Sequence, residues 1–363
     1  MKMNDKKALI AMSGGVDSSV AAFLSLQEGL SCTGATMRLY DNASIGEPAQ
    51  GTCCTQDDVE DARAVAYRLG MKFHVFNFTE QFREHVICDF VRCYEAGLTP
   101  NPCIQCNRHL KFDLLLQRAN ILGFDYLVSG HYARITHDPQ TGRYLMHKAV
   151  DKNKDQSYFL YMLDQQQLAQ IRFPLGEKTK EEVRNIAENQ GFINAKKHDS
   201  QDICFVPDGD YVTFMQRFSN KKYSPGIFLD QKGNMIGTHQ GAVGYTIGQR
   251  KGLGLAMGEP VYVCGKDMEK NTVTVGPNES LFSSTLLADR WNWFPFPALN
   301  EPLRVKAKTR SRQIEQPAWV YPMEDGIAKV IFDEPQRAIT PGQAVVLYDG
   351  DLVVGGGTII TVI

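Results

Sequence analysis

No apolar run in this 363-residue chain approaches the ~20 residues that span a bilayer, so its composition offers no membrane helix. Charge of either sign is not in excess. The formal net charge is −2, so a nucleic-acid partner is not announced by the whole chain and has to be sought in local patches. There is no internal repeat and no low-complexity segment, which sets aside repeat arrays and compositionally driven disorder. No room is left for a signal peptide, because Met1–Lys7 leads straight into an apolar run, and the expectation is a cytoplasmic protein. In that compartment the nine cysteines are expected mainly as thiols, metal ligands or catalysts. What is present is ordinary for a globular protein, with 43% hydrophobic and 22% charged residues. The length predicts two or three domains.

The run Ala8-Leu9-Ile10-Ala11-Met12 reads as a short buried strand, and Val20-Ala21-Ala22-Phe23-Leu24 belongs to a helix. Between them stands Ser13-Gly14-Gly15-Val16-Asp17-Ser18, followed by Ser19. Glycines there turn backbone N–H groups inward, and the helix N-terminus adds partial positive charge, which makes a cradle for phosphate. The Walker ending Gly-Lys-Ser/Thr is absent, so this is a different phosphate loop. A bare Gly-Gly turn would be only a tight connection. Seven residues in strand–loop–helix context resemble the PP-loop of ATP pyrophosphatases, which split ATP into AMP and pyrophosphate.

Residues 1 to about 150 alternate strand and helix patterns. Strands are expected at Cys32–Met37, Lys72–Phe76 and Asp125–Ser129. Helices are expected from Thr55, a candidate cap, to near Gly70, over Glu80–Tyr94, and over Asn107–Leu122. Thr99-Pro100-Asn101-Pro102 reads as a rigid break. This order predicts an α/β fold, a doubly wound parallel sheet with its ligand at the carboxyl ends of the strands, where Ser13, Met37 and Gly130 fall. Thr179 and Glu182 form a capping-box pair for a later helix. From Gly226 to Gly276 eleven glycines interrupt short apolar runs, as in a small β-rich unit. Beyond Trp291, Ala328–Phe332, Ala344–Tyr348 and Leu352–Val354 read as strands, with Asp349-Gly350 as a turn, and a small closed barrel is expected. The predicted domains are 1–207, 208–284 and 285–363.

Cys106 follows Asn101-Pro102-Cys103-Ile104-Gln105 and is expected at a loop-to-helix junction, where dipole and cations lower a thiol pKa. Cys204 stands in Asp202-Ile203-Cys204-Phe205 before a Pro-Asp-Gly break, a position suited to a thiol that must move or be loaded. Taken alone, each reads as well as a small buried hydrophobe. Cys32, Cys88, Cys93 and Cys264 fall within predicted elements and are expected to be core. Arg304, Lys306, Lys308, Arg310 and Arg312 recur every second residue, which on one strand aligns five positive charges for a phosphate backbone. An ordinary solvated strand face usually mixes signs, so contact with RNA is the favoured reading of this single-sign row. Lys148, Lys152 and Lys154 make a second cluster, and Lys196-Lys197-His198 a third. Trp291, Trp293 and Phe294 are either base-stacking or barrel core.

Seven motifs in order carry a resemblance over nearly the whole chain: S-G-G-V-D-S-S, N-P-C-I-Q-C-N-R-H-L-K-F, S-G-H-Y-A, K-D-Q-S-Y-F-L, D-S-Q-D-I-C-F, G-Y-T-I-G-Q-R-K-G-L-G and T-P-G-Q-A-V-V. The chain resembles the tRNA-specific 2-thiouridylases. The resemblance implies that Cys106 is the nucleophile and Cys204 the persulfide carrier, the two joining as a disulfide after turnover. It implies ATP contacts at Ala11, Met12, Ser13, Gly14, Gly15, Val16, Asp17, Ser18, Met37 and Gly130, with Mg²⁺ as the accompanying ion. It places tRNA at Asn101, Pro102, Cys103, His131, Lys154, Asp155, Gln156, Arg310, Ser311 and Gln343. The implied partners are glutamate, glutamine and lysine tRNAs and a cysteine desulfurase or sulfur-relay protein. The chain departs from the family at Cys103, where many members carry an aspartate. Cys103 and Cys106, with Cys53-Cys54, offer soft ligands for an iron–sulfur cluster, the alternative being a cluster-dependent thiolase that uses sulfide. A second alternative is a PP-loop ligase acting on a small molecule.

Overall fold

The computed structural model describes residues 6–40, 56–197, 203–206 and 208–363. The first strand, β1 (Lys7–Ala11), has Ala8, Leu9 and Ile10 wholly buried, as expected of a central parallel strand covered on both faces. It pairs in parallel with β2 (Ser31–Arg38) and with β4 (Tyr126–Ser129). Beyond β2 lies β3 (Lys72–Asn77), and beyond β4 a short β7 (Ile171–Arg172), giving the order β3-β2-β1-β4-β7. The chain winds outward from β1 to β3 and returns on the other side at β4. The winding therefore reverses between β1 and β4, the crevice where open α/β sheets take ligands.

Two apolar layers sandwich this sheet. On one face α1 (Val16–Gln27), α2 (Gln56–Arg68) and the helix Lys180–Asn189 bury Val20, Ala62, Val65, Val183 and Ala187. On the other, the helices at 79–95 and 102–121 bury Phe82, Phe90, Leu110, Phe112 and Leu115. Each of those two helices contains a wider, π-helical stretch, at Arg83–Ile87 and Cys106–Leu114. The cap expected at Thr55 lies outside the described residues. The capping box is present: Thr179 Oγ1 accepts from the Glu182 N–H, and the Glu182 carboxylate accepts from the Thr179 N–H.

The glycine-rich region folds as a four-stranded sheet, β8 (Gly226–Leu229), β9 (Met235–His239), β10 (Tyr262–Asp267) and β11 (Thr272–Gly276), around Phe228, Val263, Val273 and Val275. The last six strands are β12 (Phe282–Trp293), β13 (Leu303–Lys308), β14 (Gln316–Pro322), β15 (Ala328–Arg337), β16 (Ala344–Asp349) and β17 (Leu352–Val362). They run β12-β15-β14-β13-β16-β17, and β17 pairs back to β12, so the barrel closes. Its interior is aliphatic, with Val305, Ala307, Val320, Val330, Val345 and Leu347. Trp291 and Trp293 stack on one another at 4.8 Å and pack against this core.

Two strands depart from the expected order. β5 (Arg134–His137) and β6 (Tyr144–His147) do not join the parallel sheet; β6 pairs with β17 and extends the barrel sheet. Arg143 fastens this extension by donating to the carbonyls of Phe294 and Trp293 at 2.6 and 3.0 Å. Among the described residues, no helix is long and apolar enough to cross a membrane.

Candidate active site

The glycine loop leaves β1 at the reversal of the sheet. Gly14 has φ +75°, and a Cβ there would lie 2.3 Å from the Asp58 carbonyl oxygen, so only glycine lets the loop close on the start of α2. The serines stiffen the loop from within. Ser18 Oγ donates to the Gly15 carbonyl at 3.0 Å and accepts from the Ser13 N–H at 3.2 Å. Ser19 Oγ donates to the same carbonyl at 3.1 Å. Asn194 donates to the Gly14 carbonyl and to Ser19 Oγ, both at 2.9 Å. Among the described residues, a Cβ at Gly15 would meet Ser13 Oγ alone, at 3.6 Å, so none of them crowds the N-terminus of α1 on that side. A Cβ at Gly130 would fall 2.7 Å from Asp17 C and Ser18 N, so the end of β4 lies directly against the loop. Met12 and Met37 are buried beside it.

Asp17 is held by residues that sequence spacing does not reveal. Its carboxylate accepts from Tyr132 OH at 2.8 Å, and Lys180 Nζ lies 2.8 Å from both of its oxygens. Lys180 opens the helix Lys180–Asn189, and that helix packs on α1, so a lysine far along the chain reaches a loop that has none of its own. Lys197 sits behind the loop, 2.7 Å from Asp58 and 2.6 Å from Asp61. The third basic cluster is therefore partly neutralised, and His198 lies outside the described residues.

His131 follows Gly130 and packs between Phe112, tilted at 5.4 Å, and Phe173, edge-on at 5.9 Å. Its Nδ1 is 2.7 Å from Ser129 Oγ. Burial, then the positive charge of Lys111, holds the imidazole pKa well below its ordinary value. The folded protein keeps this ring neutral while the unfolded chain protonates near 6.5, so acidification through that pH favours unfolding. Comparing thermal melting at pH 7.5 and 5.5, the loss on acidification is expected to be smaller in His131→Asn than in the parent. Equal losses would show that another group controls it.

The two candidate thiols stand on other elements, Cys106 on the helix at 102–121 and Cys204 in the segment 203–206. The helix carrying Cys106 begins at Pro102, earlier than expected, because Asn101 caps it and Pro102 fills the first turn, where no N–H is needed. Cys103 is thus the exposed first-turn residue. Cys106 is half-buried one turn further in, at the start of the π-helical stretch. The dipole reasoning made for Cys106 applies better to Cys103, since the effect fades beyond the first turn. Asn107 ties this point to the Phe159 carbonyl at 3.1 Å.

Cys204 is held through its neighbours. Phe205 inserts among Phe82, Phe90 and Phe214, with ring centroids 5.7, 5.2 and 5.2 Å away. Tyr40 OH donates to the Cys204 carbonyl at 3.2 Å. Cys106, Ile203 and Cys204 all pack against the same apolar cluster. Burial pushes the thiols of Cys32 and Cys93 up to about 11, so neither is a thiolate near neutral pH. Cys88 is exposed, contrary to its expected core position, because it faces outward on the helix at 79–95. Cys53 and Cys54 lie outside the described residues. Among the described residues, no group of three or more His, Cys, Asp or Glu is arranged to hold a metal ion.

The residues implied for tRNA divide into two sets. Asp155 accepts from the N–H of Ala149 and from Ser157, and Gln156 exchanges hydrogen bonds with the Tyr132 backbone at 2.9 and 3.0 Å. Their side chains knit the segment that carries Tyr132 to Asp17, with half-buried Lys154 beside them. Asn101, Pro102 and Cys103 form the turn just described. Ser311 is half-buried, and Arg310 turns inward to the carbonyls of Ile247 and Ala338 and to Thr340 Oγ1. Gln343 donates to the carbonyls of Thr99 and Pro100 at 2.9 and 3.0 Å.

The row of five cations does not continue along one face. β13 ends at Lys308, so alternation stops there. Arg304 pairs with Asp333, Lys308 lies over the rings of Tyr348 and Tyr158, and Lys306 and Arg312 remain exposed. In the second cluster Lys148 pairs with Glu315 at 2.5 Å.

Three family models match the chain in succession: a tRNA methyl transferase HUP domain at 6–208, a tRNA methyl transferase PRC-barrel domain at 212–277 and an aminomethyltransferase beta-barrel domain at 283–359. The chain is 49% identical to the tRNA-specific 2-thiouridylase MnmA of Acetivibrio thermocellus, over 98% of its own length and 100% of that protein. It is 48% identical to the protein of the same name in Clostridioides difficile, over 99% of both chains. The Geotalea uraniireducens protein matches at 49% over 98% of this chain and 95% of its own.

Proposed function

The chain belongs to the tRNA-specific 2-thiouridylase family, and from that membership we propose that it is an ATP-dependent sulfurtransferase that makes 2-thiouridine at the wobble position of glutamate, glutamine and lysine tRNAs. What supports this reading is the presence together of a phosphate loop and two thiol-bearing segments. A phosphate loop lies at the reversal of the sheet, and two segments bearing Cys106 and Cys204 rest on one apolar cluster.

The uracil 2-carbonyl is a poor electrophile because oxide is a poor leaving group. Transfer of AMP to that oxygen, with pyrophosphate released, converts it into a good one. The N–H groups of Gly14 to Ser18 and the N-terminus of α1 are suited to hold the phosphates. Asp17 is the loop's carboxylate, but Lys180 Nζ lies 2.8 Å from both of its oxygens and Tyr132 OH donates to one of them, so as it stands it does not fit as a magnesium ligand. Magnesium carried with ATP would neutralise charge on the leaving pyrophosphate, and no step is routed through it.

A desulfurase or relay protein loads Cys204 as a persulfide. The terminal sulfur attacks uracil C2 and AMP departs. The Cys106 thiolate then attacks Cys204 Sγ, the S–S bond to the transferred sulfur breaks, and its electron pair stays with that sulfur as the thiocarbonyl. One sulfur is reduced, two thiols are oxidised to the Cys106–Cys204 disulfide, and a reductant resets the enzyme. The aspartate's role does not carry over to Cys103, whose thiol has a reference pKa of about 8.5 against about 3.9 for an aspartate, and the scheme assigns Cys103 no step.

The test is nucleoside mass spectrometry on unmodified glutamate tRNA incubated with the protein, Mg-ATP and a persulfide-generating desulfurase. A sulfur-for-oxygen mass shift on uridine with tRNA-dependent AMP release is expected. AMP release without tRNA would instead indicate a small-molecule ligase. Activity confined to anaerobic, iron-replete protein would indicate a cluster-dependent thiolase.

A further inference from the structure

The barrel grips the catalytic domain just ahead of the thiol-bearing helix. The connection from the helix at 79–95 to Asn101 contains Thr99 and Pro100, and Pro102 follows, so the stretch has few N–H groups of its own. Its polar backbone groups are satisfied from the barrel turn 338–343. Thr99 N–H donates to the Pro341 carbonyl at 2.9 Å. The Gln343 amide donates to the carbonyls of Thr99 and Pro100 at 2.9 and 3.0 Å. Gly342, at φ +89°, lies so close that a Cβ would sit 3.0 Å from Leu98 Cβ, Thr99 N and Thr99 O.

The barrel turn is itself fixed. Gly342 N–H donates to the Ile359 carbonyl, and Ile359 N–H donates to the Gln343 carbonyl, at 2.9 and 2.8 Å, so β17 holds it. Arg310 holds its other limb through Ala338 and Thr340. Two residues implied as RNA contacts thus turn donors into the protein at one turn, Gln343 through its amide and Arg310 through Nη2.

We propose that Gln343 is a positioning residue for sulfur transfer: by holding the Thr99 and Pro100 carbonyls it fixes the Asn101 cap, and through it the helix turn that carries Cys103 and Cys106. This rests on the thiouridylase reading. Pro100 is buried and Asn101 is the next residue, so a displaced Pro100 carbonyl moves the cap and with it the first turn. Reactions between precisely placed groups lose rate steeply when one of them moves by about 1 Å.

The experiment uses Gln343→Glu, which keeps the shape but turns the donor into an acceptor facing two carbonyl oxygens, and Gln343→Ala as a second variant should the first not fold. Three quantities are read: the tRNA dissociation constant, the thiolation rate at saturating tRNA, and amide hydrogen exchange at residues 101–106 in the protein alone. Expected are a dissociation constant within about twofold of the parent, a rate at saturating tRNA lower by about 10–100-fold, and faster exchange at 101–106. Weakened tRNA binding with an unchanged saturated rate would overturn the proposal and make Gln343 an RNA contact. Unchanged exchange would overturn it as well. If the parent protein itself does not thiolate tRNA, the thiouridylase reading fails, while the exchange measurement still decides whether Gln343 positions the turn.

Discussion

Cys106→Ser and Cys204→Ser each reduce thiolation by about 10³-fold or more, while tRNA binding survives in both. Serine is nearly isosteric, and both positions are half-buried at the edge of one cluster, so neither change leaves a large cavity. The two variants stop at different points. Without Cys204 no persulfide forms and no sulfur reaches the nucleoside. Without Cys106 the sulfur still reaches uracil C2 but stays bonded to Cys204, because no thiolate attacks the S–S bond. A tRNA–protein adduct is therefore expected with Cys106→Ser on a non-reducing gel, released by dithiothreitol, and absent with Cys204→Ser. The check combines that gel with nucleoside mass spectrometry. Full thiolation by either variant would remove that thiol from the mechanism, and an adduct with the other variant would exchange the two roles.

Local chemistry made much of this molecule readable from residue order. A strand–Gly-Gly–helix segment specifies its phosphate loop because Ser18 and Ser19 bond the Gly15 carbonyl within one turn, and the Thr179–Glu182 box specifies a helix start because its partners are three residues apart. The Asp349-Gly350 turn between β16 and β17 is local in the same sense. What stayed hidden depends on contacts distant in sequence. β6 meets β17 more than 200 residues away, and its short pattern suits either sheet. Lys180 reaches Asp17 across 163 positions. Pro102 reads as a breaker but sits at the first helical position, where proline is well suited. The alternating cations of 304–312 end as a strand at Lys308, and only the barrel's closure shows Arg310 turning inward.

These hidden contacts serve the phosphate loop as well as the thiols. Lys180, Tyr132 and Asn194 reach the loop from elsewhere in the chain, while Asn107 and Tyr40 hold the segments of Cys106 and Cys204. Different neighbours place the two, so adenylation is expected to be separable from sulfur transfer by mutation.

Phe205→Ala is expected to show that separation with a large effect. Phe205 is 1% exposed, and its ring meets Phe82, Phe90 and Phe214 within 5.7 Å. Replacing such a ring by alanine costs about 3–5 kcal/mol, from lost transfer energy plus the cavity left behind. The cost falls on a short segment that also carries the Tyr40 bond to the Cys204 carbonyl and the Val206–Ile203 turn, and the expected response is undocking of that segment. Undocked, Cys204 leaves the apolar cluster it packs against, and in the proposed scheme its placement for sulfur transfer is lost. Thiolation is expected to fall by about 10²-fold with tRNA-dependent AMP release retained within about threefold. If the cavity is instead felt by the whole domain, its melting temperature drops by about 6–15 °C. Phe205→Leu, which refills part of the space, falls between alanine and the parent. Paired assays of AMP and 2-thiouridine, with calorimetry, decide the matter: AMP and 2-thiouridine lost in equal proportion would mean that Phe205 supports the domain as a whole, and no change in either would mean that Cys204 is held by something other than this ring.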